Sequence, residues 1–546
     1  MSKFSKKYLF LILILILVNI LGLWLFFRLD LTSDNRYSIS KPTKNLLKSL
    51  DDQIVIKVYL EGEELNGSFE RLKRAVEETL GEFKNFGGKN IDYQFINPNK
   101  GTDEERKANF EKLLQKGMQP TNIVETRNGK RSENLIFPYA TVWYQNKEVT
   151  VLLLKANQAE NAQNKLNQSY ENIEYELASA IQKLTNKQKK KIGLLSEFTQ
   201  LQPVNFAGLI TSLQEYYDLF IVDAKTSPNF SGLDALIIPK PDKPVDDSTK
   251  FKLDQYLMSG GKLLFFVDGL KVDSIGLEGT FAQPLNVNLD DMLFKYGVRI
   301  NKNIVKDGLN AAVIPMVVGN MGDKPNIQFM PYRYFPLINN YGKSLITKNI
   351  DMVYTRFTAN IDTVNAKDGL KKIPLLLTSP YTKILNAPAL ITFNEARTDT
   401  DEKEYNSGVK VISYLIEGKF KSLYQNQFTQ KVLTESPETK ILVCSDGDLI
   451  VNEIDKKTGN PFPLGFDKYS QHQYGNQDFV INALNYLTDE NGLITSKTKS
   501  IGLRPLDQLK VKNERVMWQS INIAAPLVLL GILGLLRFYW LKKTYG

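Results

Sequence analysis

Two long apolar runs, Tyr8 to Phe27 and Ile521 to Leu536, flank a sequence with the composition of water-soluble protein. The first is interrupted only by Asn19 and Gly22, and its roughly 20 residues make a helix of about 30 Å, the thickness of a bilayer core. A secretory signal peptide also begins with basic residues, here Lys3, Lys6 and Lys7, but its apolar stretch is shorter and ends at small residues. This run instead passes through Trp24 and Phe27 into Arg28, which predicts an uncleaved anchor over 8–27. The second run contains Asn522 and Pro526, yet Trp518 and Trp540 bracket it as interfacial aromatics do, and a span is expected over 519–540. The leading lysines place the N-terminus in the cytoplasm, and two spans return the chain to that side. The body between them is then periplasmic and the protein belongs in the inner membrane.

The formal charge of +9 does not signal nucleic-acid binding. Six of those charges are Lys3, Lys6, Lys7, Arg537, Lys542 and Lys543, beside the apolar runs, and the basic run Lys187 to Lys191 reads as a solvated linker. The single Cys444 excludes an internal disulfide, so the body must be held by packed cores.

The first expected domain covers 37–186. Ile54, Ile56, Val58 and Leu60 alternate as in a half-buried strand, and a helical pattern follows from Phe69 to Gly87-Gly88. The order strand, helix, strand, helix, strand, strand, helix resembles a thioredoxin-like domain, without the CxxC that disulfide exchange requires. The second expected domain covers 190–490. Its apolar strands at Ile192 to Leu195, Leu219 to Val222, Ala235 to Ile238, Leu263 to Val267 and Ile441 to Cys444 alternate with helical segments, which predicts a parallel α/β sheet of flavodoxin or Rossmann type. A large insertion is expected around 281–428 and a juxtamembrane linker over 491–517.

Sheets of this kind present functional residues at the carboxyl ends of their strands. Those ends offer Ser196 and Glu197, Pro239, Asp268 with Gly269, and Asp446 with Asp448. The strings DALIIPKP and GGKLLFFVDG resemble the class I glutamine-amidotransferase-like fold. In catalytic members a cysteine occupies the turn that is Val267-Asp268-Gly269 here, so the resemblance implies no thiol catalysis. Asp446 and Asp448 flank a glycine and invite a cation, but Ser-Asp-Gly-Asp is also ordinary turn chemistry and supplies too few oxygen donors. Gly342-Lys343-Ser344 ends like a phosphate-binding loop, but Leu337 stands where its first glycine belongs. No catalytic residue, cofactor or metal is expected.

Several longer strings carry a more specific resemblance: RYSISKPTKNLLKSL, LIEGKFKSLY, ILVCSDGDLIVN, GNQDFVINALNYLTDENGLI and WQSINIAAPLVLLGILG. Together they resemble the GldG-type component of the gliding-motility ABC transporter of Bacteroidetes. That resemblance implies a non-catalytic auxiliary or substrate-binding subunit beside a separate permease and a cytoplasmic ATPase. A scaffold of the gliding or secretion machinery and a tethered amidotransferase-like enzyme are the alternatives. Within LIEGKFKSLY, residues Gly418, Lys419, Phe420 and Lys421 are the candidate partner surface, with Asp268, Asp446 and Asp448 as further candidates. The same Lys-Phe-Lys alternation also fits an edge strand with Phe420 inward and lysines guarding the edge.

Overall fold

In the computed structural model the described residues are 38–498, apart from 63–64, 128–129, 156, 158, 187, 277, 365–368, 399–400, 402, 426–431 and 490–491, together with 513–545 and, in the first apolar run, 10 and 13–15. The anchor expected over 8–27 therefore lies almost wholly outside the described residues.

The first sheet is built from β1 (Ile54–Val58), β2 (Ile91–Phe95), β3 (Tyr139–Tyr144) and β4 (Lys147–Leu152). Its order is β2-β1-β3-β4, with β1 and β2 parallel and the other pairs antiparallel. Alternation in β1 puts Ile54, Ile56 and Val58 in the core. Four helices accompany it: α1 (Lys41–Lys48), α2 (Gly67–Gly87), α3 (Asp103–Gln115) and α4 (Ala162–Thr185). Asn66 caps α2 by accepting from the Ser68 and Phe69 amides, and the helix ends where Gly88 takes φ +58°. Leu72, Val76, Leu80 and Phe83 form its buried stripe. Thr102 and Glu105 close a capping box on α3.

The second sheet has eight strands. Five are parallel: β5 (Lys191–Leu194), β6 (Asp218–Ile221), β7 (Ala235–Pro239), β8 (Leu263–Phe266) and, much later in the chain, the strand Glu435–Cys444. Helices α5 (Ala207–Gln214) and α6 (Asp247–Met258) lie between them in sequence. Between β8 and the fifth parallel strand come a long hairpin, β9 (Ala311–Met321) and β10 (Lys324–Ile338), and then β11 (Asn340–Tyr341), β12 (Lys371–Leu377) and β13 (Val411–Lys421). With Glu435–Cys444 as β14, the order is β11-β12-β13-β14-β8-β7-β5-β6. The parallel strands read 2-1-3-4-5 in chain order, the doubly wound arrangement of flavodoxin-like sheets. Ile237, Leu264, Phe266, Leu442 and Cys444 pack on one face, where helix α7 (Asn476–Thr488) lies, and Leu236, Ile238, Phe265, Ile441 and Val443 pack on the other. Burial on both faces is why these strands are continuously apolar.

The stretch expected as an insertion is not wholly separate, because it extends the main sheet with β13 antiparallel to β14 and β12 antiparallel to β13. The expected linker likewise contains an ordered turn, Leu493–Thr498, seated against the body. Gly342 is explained by packing, since a Cβ there would collide with the Pro374 carbonyl. A separate unit holds helix α8 (Arg515–Tyr545), which carries Pro526 inside it. Among the described residues it is the one helix long and apolar enough to cross a membrane, with a mean hydropathy of 2.0 over its most apolar window.

Candidate functional site

The carboxyl ends of β7, β8 and β14 deliver Lys240, Asp268, Asp446 and Asp448 to one place. Lys240 directly follows β7, and its ammonium donates to Asp268 Oδ2 and Asp448 Oδ2, each at 2.7 Å. Its backbone holds φ +44°, a left-handed conformation unusual for a lysine, fixed in part by its amide donating to the Phe266 carbonyl at 2.9 Å. Gly447 makes room for it, since a Cβ there would meet the Lys240 side chain at 2.5 Å. The Gly447 amide donates to Asp268 Oδ1 at 2.6 Å, so Asp268 ties the β8 turn to the β14 turn.

Asp446 is fully buried and serves the backbone. Its Oδ1 accepts from the Asp448 amide at 2.8 Å and the Leu449 amide at 3.2 Å, and its Oδ2 accepts from the Arg356 amide at 2.7 Å. Arg356 then extends the cluster. Its Nε donates to the Tyr354 hydroxyl at 3.0 Å, its guanidinium pairs with Glu453 and lies 4.9 Å from the Tyr354 ring centre, and Lys468 reaches Glu453 Oε2 at 2.9 Å. A cavity of about 10 Å³ between Arg356, Asp448, Glu453 and Asn476 has the room of a single water.

The electrostatics follow from shared burial. Burial pushes the Asp446 carboxyl well above its ordinary range, and the charges of Asp448 and Asp268 push it further. Burial opposes the Lys240 charge, but Asp268 and Asp448 outweigh it and hold the ammonium above its ordinary value. Burial likewise opposes the Glu453 charge, and Arg356 with Lys468 overcomes it, leaving that carboxylate below its usual range.

Carboxylate oxygens of Asp268, Asp446 and Asp448 lie within 4.8 Å of one another, near enough to share a cation. The donor set nevertheless does not suit a resident metal. Both Asp446 oxygens already accept backbone N–H groups, and the Lys240 ammonium bridges the other two residues where a metal would have to sit. Chemically the arrangement is a joint of three cations, Lys240, Arg356 and Lys468, among four carboxyl groups, Asp268, Asp446, Asp448 and Glu453. It locks three strand ends to the segment around Arg356 and Ala359, whose carbonyl accepts from Ser445 Oγ at 2.5 Å.

A family model described as an ABC-type uncharacterized transport system matches residues 189–483, more than half of the chain. The chain belongs to this ABC-type transport-system family. Every member of the cluster falls inside the matched span, so the joint lies in the part of the molecule that carries family membership. A model for a domain of unknown function matches residues 33–143, which include β1, β2 and all but the last residue of β3. An uncharacterized protein of Borreliella burgdorferi (strain ATCC 35210 / DSM 4680 / CIP 102532 / B31) is 23% identical over 416 residues, covering 74% of this chain and 75% of that protein. Among solved structures, the mmIFT52 N-terminal domain aligns with 55% of this chain and 98% of its own at 14% identity. Its TM-score of 0.32 is too low to bear on the fold.

The other expected site residues separate sharply by burial. Phe420 is fully buried, edge to face with Tyr296 at 5.6 Å between ring centres, so the expectation of an exposed aromatic contact is corrected. β13 is paired with β12 as far as Glu417 and with β14 as far as Lys421, so the Lys419-Phe420-Lys421 stretch has a registered partner on the β14 side alone. Lys419 and Lys421 are exposed beside it, opposite Glu438 and Glu435, and Gly418 is half-buried at φ +140°. Cys444 is buried at the end of β14, and burial pushes its thiol well above the ordinary range. The lone His472 pairs through Nε2 with Asp351 Oδ2 at 2.6 Å. Sequence reasoning missed Lys240, Arg356 and Glu453. The signal for Lys240 was its place one residue beyond Pro239, a strand end already singled out.

Proposed function

We propose that this chain is a non-catalytic auxiliary subunit of an inner-membrane ABC transporter that supports gliding motility, working beside a separate permease and a cytoplasmic ATPase. The observation that carries the reading is the family match across the doubly wound sheet, joined to a helix fit to cross a membrane. The body is extracytoplasmic in this reading and both termini are cytoplasmic.

A binding or coupling role is favoured over chemistry by what occupies the strand ends. The turn after β8 holds Asp268, whose two oxygens are engaged by Lys240 and the Gly447 amide, and the chain's thiol is sealed inside the sheet. The order β2-β1-β3-β4 supports a thioredoxin-like first domain without a redox pair. The 2-1-3-4-5 order supports an amidotransferase-like second domain over 190–490 whose nucleophile position has become structural. Lys419 and Lys421 are the exposed residues assigned to partner contact, with Phe420 supporting them from beneath.

The test is affinity purification of the intact protein from gently solubilised membranes, with mass spectrometry of what stays bound through size exclusion, together with gliding assays on a deletion strain. Recovery of a polytopic permease and a nucleotide-binding subunit, with loss of gliding, is the expected result. Recovery of motility or secretion components alone would replace transport by scaffolding.

A further inference from the structure

The ordered turn Leu493–Thr498 packs against α1, α4 and α7, which belong to both α/β parts of the body. Lys497 points inward from this turn. It is 3% exposed, its amine donates to Asn482 Oδ1 at 3.0 Å, and it lies 4.2 Å from the centre of the Tyr175 ring. Among the described residues it has no carboxylate at ion-pair distance. Tyr175 and Asn482 are themselves bonded at 3.3 Å, Asn485 donates to the Tyr175 hydroxyl at 3.1 Å, and Tyr217 joins Asn485. One amine thus sits on the seam where α4 of the first part meets α7 of the second.

We propose that the Leu493–Thr498 turn is a releasable clasp, seated across both α/β parts when the Lys497 amine is neutral and loosened when that amine is protonated. The charged groups around it explain the choice. From α4 come Glu176, engaged by Lys155 at 2.5 Å, and Glu171, facing Lys348 at 3.6 Å; from α7 comes Asp478. Helix α1 turns Lys44 and Lys48 to the Phe86 ring instead. Glu176 and Glu171 are thus answered by other lysines, Asp478 acts on Lys497 only from beyond ion-pair distance, and a third ammonium at this seam is poorly compensated. Burial, with Lys155 adding to it, lowers the Lys497 pKa to about 8. Seating then favours the neutral amine. It strengthens as pH rises from about 8 toward the ordinary lysine value near 10.4, and is weakest and constant below about 7.

Ser496 supplies the probe. Its hydroxyl is buried without a partner, so Ser496→Cys is a near-isosteric change, and the native Cys444 is sealed in the sheet. In the full-length protein in detergent, the rate of maleimide labelling at position 496 is measured across pH 7.5 to 9.5. Each rate is divided by that of the same chain unfolded at the same pH, and circular dichroism monitors the fold. The expected result is a fall in normalised labelling of about 20-fold over this range, abolished by adding Lys497→Met and replaced by uniformly fast labelling with Lys497→Arg. A flat profile in the Ser496→Cys protein overturns the clasp, and so does an unchanged slope with Lys497→Met. If the methionine variant does not fold, the slope of the Ser496→Cys protein alone decides.

Discussion

The joint around Lys240 and the far half of the β9–β10 hairpin solve opposite problems with the same backbone material. At the joint, charged side chains are withdrawn from water and nearly every one finds a partner supplied by another strand end. In the hairpin, apolar side chains are left in water: Val317, Met321, Ile327 and Phe329 are between 48% and 73% exposed, with only its root, around Tyr332 and Tyr334, in a core. Stability follows the number of groups a residue satisfies rather than its polarity, and the wound sheet should be far less tolerant of change than the hairpin.

Four substitutions probe that contrast. Phe420→Ala removes a fully buried ring from the sheet core and should cost about 4 kcal/mol in chemical denaturation; a loss below about 1 kcal/mol would return Phe420 to the candidates for surface contact. Lys240→Met should cost about 3 kcal/mol by leaving Asp268 and Asp448 facing each other without their cation. An unchanged midpoint would mean the joint is not a stabilising unit. Glu453→Gln should cost about 1 kcal/mol at neutral pH. Because the folded Glu453 carboxylate is held below its ordinary range, its contribution is present above about pH 4.3 and fades as pH falls through the folded value. The wild-type advantage should therefore shrink on acidification, and an advantage that grew would reverse the assigned sign. Phe329→Ser should change stability by less than about 0.5 kcal/mol, and a large loss would show that the hairpin is held by its far half after all.

Local pattern carried the wound sheet because β7, β8 and the end of β14 repeat one signal, an apolar run buried on both faces, and the strand-end rule led directly to Asp268, Asp446 and Asp448. It did not carry the partners that complete the joint. Arg356 reaches Asp446 across 90 residues, and nothing in the neighbourhood of either announces the other. The alternation Lys419-Phe420-Lys421 specified which residue faces inward, but not that β12 would cover the first part of the same strand, as far as Glu417. Lys497 carried no signal either, since a lysine in a linker is unremarkable until Tyr175 and Asn482 close over it.

The bond between Gly447 and Asp268 spans 179 residues, and so the last parallel strand cannot dock until a lobe the size of a whole domain has left the ribosome. Closing so long a loop adds little to the equilibrium cost, since each doubling of its length costs about 0.6 kcal/mol. The burden is one of time. Until β14 arrives, the flank of β8 is an open, wholly apolar template, exposed to any neighbouring strand. The order of synthesis makes this body a late-finishing client for whatever protects nascent chains.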